Sequence, residues 1–453
     1  MTCSCCAQGK AVVCGLLSSA VAWLTDKKTV LTSMSRKIIT TLLVGAVAIQ
    51  ASTAMADFLE GATGSLELRN MYYSRDFRNE GAAQSKRDEW AQGFILNLQS
   101  GFTQGRVGVG VDALGTLGVK LDSSPDRTGS GILAFDSQRQ VEDEYSKLTL
   151  TAKARAGQTQ VHLGGLHPTL PLLWSNNSRL LPQVFRGGML VSNDLQPLRL
   201  TLLRVNRLKQ RNSTDFERLT AFGYTPVEAD HLDYLALDYQ AADGLTLSYH
   251  LVELDTLYRS HFAGVKFSHA LALGELVGDI RYFAASETGS ERLGDVDNRT
   301  LSSLFAWRLA GHSFGVGYQK ARGDTPFAFV NGTDTYLFGE SLVSAFSAPG
   351  QRVRLLRYDY DFAALGLPGL SLGIKYAKGD QVDPTLLNTV QAAGLRARGV
   401  QGGEWERMTD IAYTVQDGTF EGLSLQWRNA TNRSTYADSA DENRLILRYT
   451  FQF

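Results

Sequence analysis

The last nine residues, Leu445-Ile446-Leu447-Arg448-Tyr449-Thr450-Phe451-Gln452-Phe453, contain the pattern that decides the fold. Every second residue from Leu445 to Phe453 is apolar or aromatic, and the positions between them are mostly polar. Because successive side chains of a strand point to opposite faces, this segment is predicted as a β-strand with one apolar and one polar face. Terminal aromatic residues are typical of the girdle at a membrane interface, although an ordinary edge strand would show the same alternation.

The same alternation recurs along the chain from Asp57 onward, in runs of about nine to eleven residues. A strand that crosses a bilayer at a tilt of about 45° needs about this length, whereas strands of soluble sandwiches are nearer five or six residues. The pattern therefore favours membrane-spanning strands. The clearest examples are residues 90–99, 107–113, 147–155 and 423–428.

The connections alternate between short and long, which is the asymmetry of an outer-membrane barrel. A closed barrel also pairs every backbone group that lipid would leave unsatisfied. At roughly 20 to 25 residues per strand and connection, the chain holds about 16 to 20 strands in one domain, residues 57–453. The short turns are predicted at 100–105, 242–244 and 416–418, and the long loops at 70–89, 123–143, 166–186 and 322–350.

The first 56 residues have the features of a leader. Met34 is followed by the basic Arg36 and Lys37, an apolar run over 38–49 and a small-residue cleavage site at 54–56. Residues 34–56 are therefore predicted as a signal peptide, and residues 1–33 as an over-extended start. All four cysteines lie in the first 14 residues without a nearby histidine, so no metal site is expected there.

Composition and motifs exclude several other functions. The 45 Lys and Arg residues nearly balance 46 Asp and Glu residues, which argues against a nucleic-acid partner. Residues 369–373 match the nucleophile-elbow pattern, but the alternation continues beyond them, so Ser371 is predicted as a lumen-facing strand residue. No catalytic centre, metal or cofactor is expected, and the chain is predicted not to be an enzyme.

Strand parity also predicts which charges face the lumen, because outward positions must be apolar. The basic residues assigned to the lumen could form a track along one wall, with acidic residues on the opposing wall, and such a field would concentrate anionic or zwitterionic solutes. The alternative is that these charges only keep the lumen hydrated. The residues assigned inward are Arg69, Arg357, Lys375, Arg428 and Arg448, together with Asp359 and Asp361.

Seven ordered sequence blocks resemble the OprD family of substrate-specific outer-membrane porins over nearly the whole predicted mature length. The most specific is Arg357-Tyr358-Asp359-Tyr360-Asp361-Phe362-Ala363-Ala364, followed by Gly366-Leu367-Pro368-Gly369-Leu370. The others lie at residues 64–70, 75–78, 89–94, 112–122, 179–187 and 376–380. The resemblance implies an all-β transmembrane antiparallel β-barrel of about 18 strands, monomeric or weakly oligomeric, whose long extracellular loops fold partly into the lumen.

The resemblance also implies a ladder of basic residues that conducts carboxylate-bearing solutes. It places Arg186 near the constriction, and Arg357, Lys375 and Arg428 on ladder strands. The seventh loop maps to about residues 327–350 and contains Asp334, Tyr336 and Glu340. The chain departs from the family pattern at Gln351, Arg354 and Gln426.

The sequence thus favours a passive, substrate-selective channel. The protein is expected to be exported to the bacterial outer membrane, where it contacts lipid and small anionic or zwitterionic solutes. Two alternatives stay open: a structural or adhesive barrel with a blocked lumen, and a general non-selective porin. A TonB-dependent transporter is disfavoured, because strands begin within about ten residues of the predicted cleavage site and leave no room for a plug.

Overall fold

The computed structural model describes residues 61–224 and 226–453, so the predicted start at Met34, the signal peptide over 34–56 and the cysteines lie outside the described residues. Eighteen strands form one closed antiparallel sheet, which confirms the predicted fold class. Closure is made by the first and last strands, which pair from Ser65 opposite Gln452 to Phe77 opposite Ala440. Among the described residues, no helix is both long and apolar enough to span a bilayer.

The strands are numbered in chain order, and the two shortest, β6 and β7, form a separate hairpin inside the third long loop. The first half comprises β1 (Thr63–Phe77), β2 (Lys86–Gln99), β3 (Gly108–Asp122), β4 (Glu144–Ala156), β5 (Thr159–Leu166), β6 (Thr169–Leu170), β7 (Leu173–Trp174), β8 (Val184–Leu195), β9 (Leu198–Lys209) and β10 (Leu232–Ala242). The second half comprises β11 (Leu245–Leu254), β12 (Tyr258–Ala270), β13 (Glu275–Glu287), β14 (Asp297–Leu309), β15 (His312–Arg322), β16 (Arg352–Asp361), β17 (Leu370–Val382), β18 (Gly402–Thr414), β19 (Ser424–Ser434) and β20 (Ala440–Gln452).

The helices lie in connections. The helix α1 (Val390–Arg398) and a 3-10 turn (Pro384–Leu386) lie between β17 and β18, and a second 3-10 turn (Phe362–Leu365) follows β16. The predicted long loops at 123–143, 166–186 and 322–350 are confirmed within a few residues. The predicted loop over 70–89 is wrong, because β1 continues to Phe77 and β2 begins at Lys86. Charged residues there stay in the ladder because their side chains are paired, as in the bond from Arg75 to Glu442.

The outward face of the barrel is apolar, as the alternation predicted. In β4, Leu148 and Leu150 are 67% and 60% exposed. Lys147, which points to the opposite face of the same strand, is buried. In β20, Leu445 and Leu447 are exposed and Ile446 between them is buried. Exposed leucines on a closed barrel form the surface that lipid covers.

The third and seventh loops fold into the barrel and pack against one wall. Leu172 and Leu173 of the third loop share a buried apolar cluster with Phe329 and Leu337 of the seventh loop and with the inward residues of β9 to β13. On the opposite side, Leu180 reaches Gly93 of β2, where an added Cβ atom would lie 3.1 Å from it. These contacts narrow the lumen and leave its open part beside β15 to β20.

Candidate functional site

A cavity of about 1170 Å³ lies inside the barrel between the third loop, the seventh loop and the wall formed by β15 to β20. We call it the main cavity. It brings together six of the ten residues predicted from the sequence: Arg357, Lys375, Arg428, Asp334, Asp359 and Asp361. Ser371 also lines it from within β17, in agreement with its predicted place on a strand rather than on a strand-to-helix turn.

The basic residues of this wall occur as like-charged pairs on neighbouring strands. Arg357 is opposite Lys375, and Arg428 is opposite Arg444. Across the closing seam of the barrel, Arg448 is opposite Arg69. Like charges directly opposite each other are destabilising in a sheet, so each pair needs acidic or carbonyl partners.

Carboxylates supply those partners at close range. Arg357 donates to Asp359 at 2.7 and 3.0 Å, so Asp359 lies beside the basic track and not on an opposing wall. Arg428 forms an ion pair of 2.9 Å with Asp410 of the neighbouring strand. The outcome is a wall of alternating charge, in which much of each arginine's field is cancelled locally.

Lys375 serves the seventh loop more than the lumen. It is 8% exposed, and its Nζ donates to the backbone carbonyl oxygens of Gly339, at 3.3 Å, and Glu340. Glu406 of β18 holds the next part of this loop. Its carboxylate accepts hydrogen bonds from three consecutive backbone N–H groups, at 2.8, 3.2 and 3.0 Å, from residues 342–344. We call these contacts the loop clasp.

Four predicted residues do not line the main cavity. Arg69 is 4% exposed and donates to Glu67, to Asn177 and to the carbonyl oxygen of Arg179, so it anchors the third loop. Arg448 does not line the cavity itself, but it donates at 3.3 Å to Gln426, which does.

The other two lie elsewhere in the barrel. Arg186 is exposed on the face of β8 opposite the buried Phe185, with its guanidinium 5.7 Å from the centre of the Phe216 ring. The structure therefore does not place Arg186 at the narrowing of the lumen. Tyr336 stacks on Trp174 of the third loop, with ring centres 5.2 Å apart.

Five further arginines line the main cavity. Arg75 and Arg444 form ion pairs with Glu442, whereas the other three have no carboxylate within 4.0 Å in the described part of the chain. They are Arg87 of β2, Arg179 of the third loop and Arg211 of the loop after β9. Arg179 donates to the carbonyl oxygen of Ser130 at 3.0 Å and lies over the Tyr73 ring. These three carry the cationic charge that remains available in the cavity.

The ionisation of the loop residues follows from their burial. Burial and the charge of Arg444 lower the pKa of Arg179 to about 9, which leaves it protonated at neutral pH. Burial also lowers the pKa of Arg211. On the seventh loop, burial and the charge of Asp334 raise the pKa of Glu340 to about 8, so that carboxyl group is largely neutral at pH 7. Because Glu340 is largely neutral and Arg179 is charged, the net charge of the cavity lining at pH 7 is more positive than a count of its ionisable residues suggests.

Comparison with known proteins identifies the class of channel. The family model described as outer membrane porin, OprD family, matches residues 56–453. The chain belongs to this family. It is an outer-membrane porin, a channel and not an enzyme.

Individual relatives agree with this assignment. The chain is 32% identical to the porin-like protein GalP of Pseudomonas putida over 396 residues, 86% of this chain and 92% of GalP. The crystal structure of Pseudomonas aeruginosa OccK9 (OpdG) is 40% identical, with a TM-score of 0.83, over 87% of this chain and 100% of that one. Pseudomonas aeruginosa OpdK, solved with vanillate, is 33% identical, with a TM-score of 0.80, over 87% and 100%.

Strand parity did not predict the three cavity arginines of this porin that have no carboxylate within 4.0 Å in the part of the chain that the structure describes. Each of them lies in a loop or in a segment predicted as a loop, where alternation does not show the direction of a side chain. Arg179 and Arg211 are in loops, and their convergence depends on how two connections 32 residues apart fold into the lumen. Arg87 lies in a segment predicted as loop that is part of β2. One signal was available: Arg179 begins the block 179–187, which is one of the blocks that carry the family resemblance.

Proposed function

We propose that this porin is selective for small solutes that carry a carboxylate, such as amino acids or aromatic acids. The observation that supports the proposal most strongly is the presence in one cavity of Arg87, Arg179 and Arg211 with no carboxylate within 4.0 Å among the described residues. A carboxylate that enters from the long-loop side can replace the missing partner with charge-assisted hydrogen bonds. The related OpdK, whose structure was solved with vanillate, supports the choice of a carboxylate.

The paired arginines have a second role in this proposal. Arg357 and Arg428 already share their charge with Asp359 and Asp410, so they attract an anion weakly and release it readily. Passage needs such moderate sites, because a solute that binds tightly at one position leaves it slowly. The free arginines capture the solute, and the paired arginines, with Asp334 and Asp361 nearby, orient its remaining groups.

We infer that one chain forms the whole wall of the channel, because β1 and β20 pair with each other and close the barrel. The apolar outward face supports direct contact with outer-membrane lipid. The long loops are inferred to face the outside and the short turns the periplasm, as in barrels of this class.

The test is planar-bilayer recording of the wild type and of an Arg179→Gln, Arg211→Gln double variant. Each lost contact is partly exposed to water, so we expect vanillate to bind about fivefold to tenfold more weakly and the anion-to-cation permeability ratio to fall. Liposome uptake of arabinose, a neutral sugar, should change little. The matched control is Arg308→Gln, because Arg308 lies on β14 beside Glu275 and outside the main cavity.

Three results would speak against the proposal. Equal losses for vanillate and arabinose would make this chain a general porin. Equal effects of the control and of the double variant would remove the arginines from the pathway. A folded wild type that conducts no current would support the blocked barrel.

A further inference from the structure

A smaller cavity of about 320 Å³ lies inside the barrel, between the β6–β7 hairpin and the inner face of strands β9 to β12. We call it the recess. Arg199 lies at the start of β9, directly after a two-residue turn, and Lys266 lies in the second half of β12, four residues before that strand ends at Ala270. The recess therefore lies on the short-turn side of the lumen, away from the long loops.

Contacts between the third and seventh loops separate the recess from the main cavity. Trp174 stacks on Tyr336, and the backbone N–H of Asp334 donates to the carbonyl oxygen of Trp174 at 3.0 Å. Along the seventh loop, Asp334 and Thr335 line the main cavity, whereas Tyr336 lines the recess. A ligand of the recess would consequently touch a different set of side chains from a ligand of the main cavity.

The charge of the recess is positive. Within the described ranges, Arg199 has no carboxylate within 4.0 Å, and its side chain is exposed. The one acid of the lining, Asp238, accepts hydrogen bonds from Ser248 at 2.5 Å and pairs with His250 at 3.1 Å. Asp238 also lies directly opposite Arg199 in the strand register and offsets part of its charge, so the positive charge of the recess comes from Arg199 and Lys266 together.

Lys266 adds the second cation of the recess. It is about half exposed and donates to the hydroxyl oxygen of Tyr336 at 2.7 Å. Its nearest carboxylate, Asp279, is 4.0 Å away and is already bound by both Nε and Nη2 of Arg281. Two of its three N–H donors remain available for a ligand in the recess.

The rest of the lining is apolar and flat. The Tyr336 ring is held between the guanidinium of Arg281, 3.5 Å from the ring centre, and the Trp174 ring. Phe262 meets Tyr336 edge to face, and Pro171 completes the apolar side. Rings that are fixed on both sides offer a preformed surface. The binding of a planar ligand would therefore cost little side-chain entropy in the protein.

We propose that the recess binds single-ring aromatic carboxylates, with the carboxylate between Arg199 and Lys266 and the ring against Trp174. Its volume is at the lower end of known ligand pockets, which suits one ring and excludes larger solutes. The proposal rests on the proposed function only in that the solute must first cross the main cavity. The recess would be a second binding site along the pathway, and it would recognise the aromatic ring of the solute as well as its charge.

The experiment uses the purified full barrel in detergent, with benzoate as the probe. Tryptophan fluorescence is titrated in the wild type and in Trp174→Phe, and the difference isolates the signal of Trp174. We expect a saturable change with benzoate, a weaker one with cyclohexanecarboxylate, which has the charge without the aromatic ring, and none with benzamide, which has the ring without the charge.

Arg199→Gln and Lys266→Gln should each weaken benzoate binding about tenfold, since each removes one charge-assisted contact. Arg308→Gln should leave it unchanged. Wild-type affinity in both recess variants, or equal responses to benzoate and benzamide, would overturn the proposal. The Arg179→Gln, Arg211→Gln variant distinguishes the two proposals in detergent, where the solute reaches the recess from either end. A reduced anion-to-cation permeability ratio in planar bilayers, together with normal benzoate binding in detergent, supports two separate sites, whereas loss of both would reduce the recess to part of the main cavity.

Discussion

The loop clasp predicts that one buried carboxylate sets the width of the lumen. In Glu406→Gln, the amide oxygen can still accept from the N–H groups of Leu342 and Val343, as Oε1 does in the wild type. The amide nitrogen, however, takes the place of Oε2 and meets the N–H of Ser344, so that two donors face each other. The substitution keeps the size of the side chain and removes its charge.

The magnitude follows from these bonds. Two charge-assisted hydrogen bonds to Oε2 are lost, from the N–H of Ser344 and, at 3.4 Å, from Asn432 Nδ2. The two bonds to Oε1 become neutral, in a place where Glu406 is only 1% exposed. A loss of about 2 kcal/mol in docking of the loop is expected, which shifts its docked-to-undocked ratio about thirtyfold. The barrel itself should stay folded, because the loop retains its apolar contacts around Phe346 and the hydrogen bonds from Lys375.

The assay is single-channel recording combined with liposome uptake of neutral sugars of increasing size. Glu406→Gln should show larger or fluctuating conductance and admit sugars that the wild type excludes. Glu421→Gln, an exposed change of the same kind in the turn before β19, is the control. Unchanged conductance, together with an unchanged size limit, would refute the view that this carboxylate holds the constriction.

The remaining predictions concern the membrane face, pH and export. Leu150→Arg, in the middle of the lipid-facing side of β4, should cost about 2–4 kcal/mol of unfolding free energy, whereas Leu425→Arg, at the second position of β19, should cost about 0–1; equal costs in denaturant titrations would contradict the assigned depth. Glu340 has an ordinary pKa of 4.5 and a folded pKa of about 8, so the folded state binds more protons between these values; the stabilisation present below about pH 4.5 should disappear as pH rises to 8, and thermal unfolding of Glu340→Gln should lack this dependence. N-terminal sequencing of the membrane-bound protein should begin at Asp57, and residues that precede Met34 would disprove the predicted start.

The sequence by itself determined the class of fold and the inward or outward direction of most strand residues. Alternation with period two depends only on local backbone geometry, so Leu356 could be assigned to lipid and Arg357 to the lumen without knowledge of any partner strand. Even charged ends such as Arg75 obey this rule, although their composition suggested a loop.

Tertiary structure alone decided which charges are free. Strand parity places Arg357, Lys375 and Arg428 in the lumen, but it cannot show that Asp359 neutralises the first or that the seventh loop covers the second. These partners arise from cross-strand register and from loops folding inward over long sequence separations. The convergence of Arg179 and Arg211 has the same origin, since apolar packing of two loops against the wall brings them together and no periodic pattern records that contact.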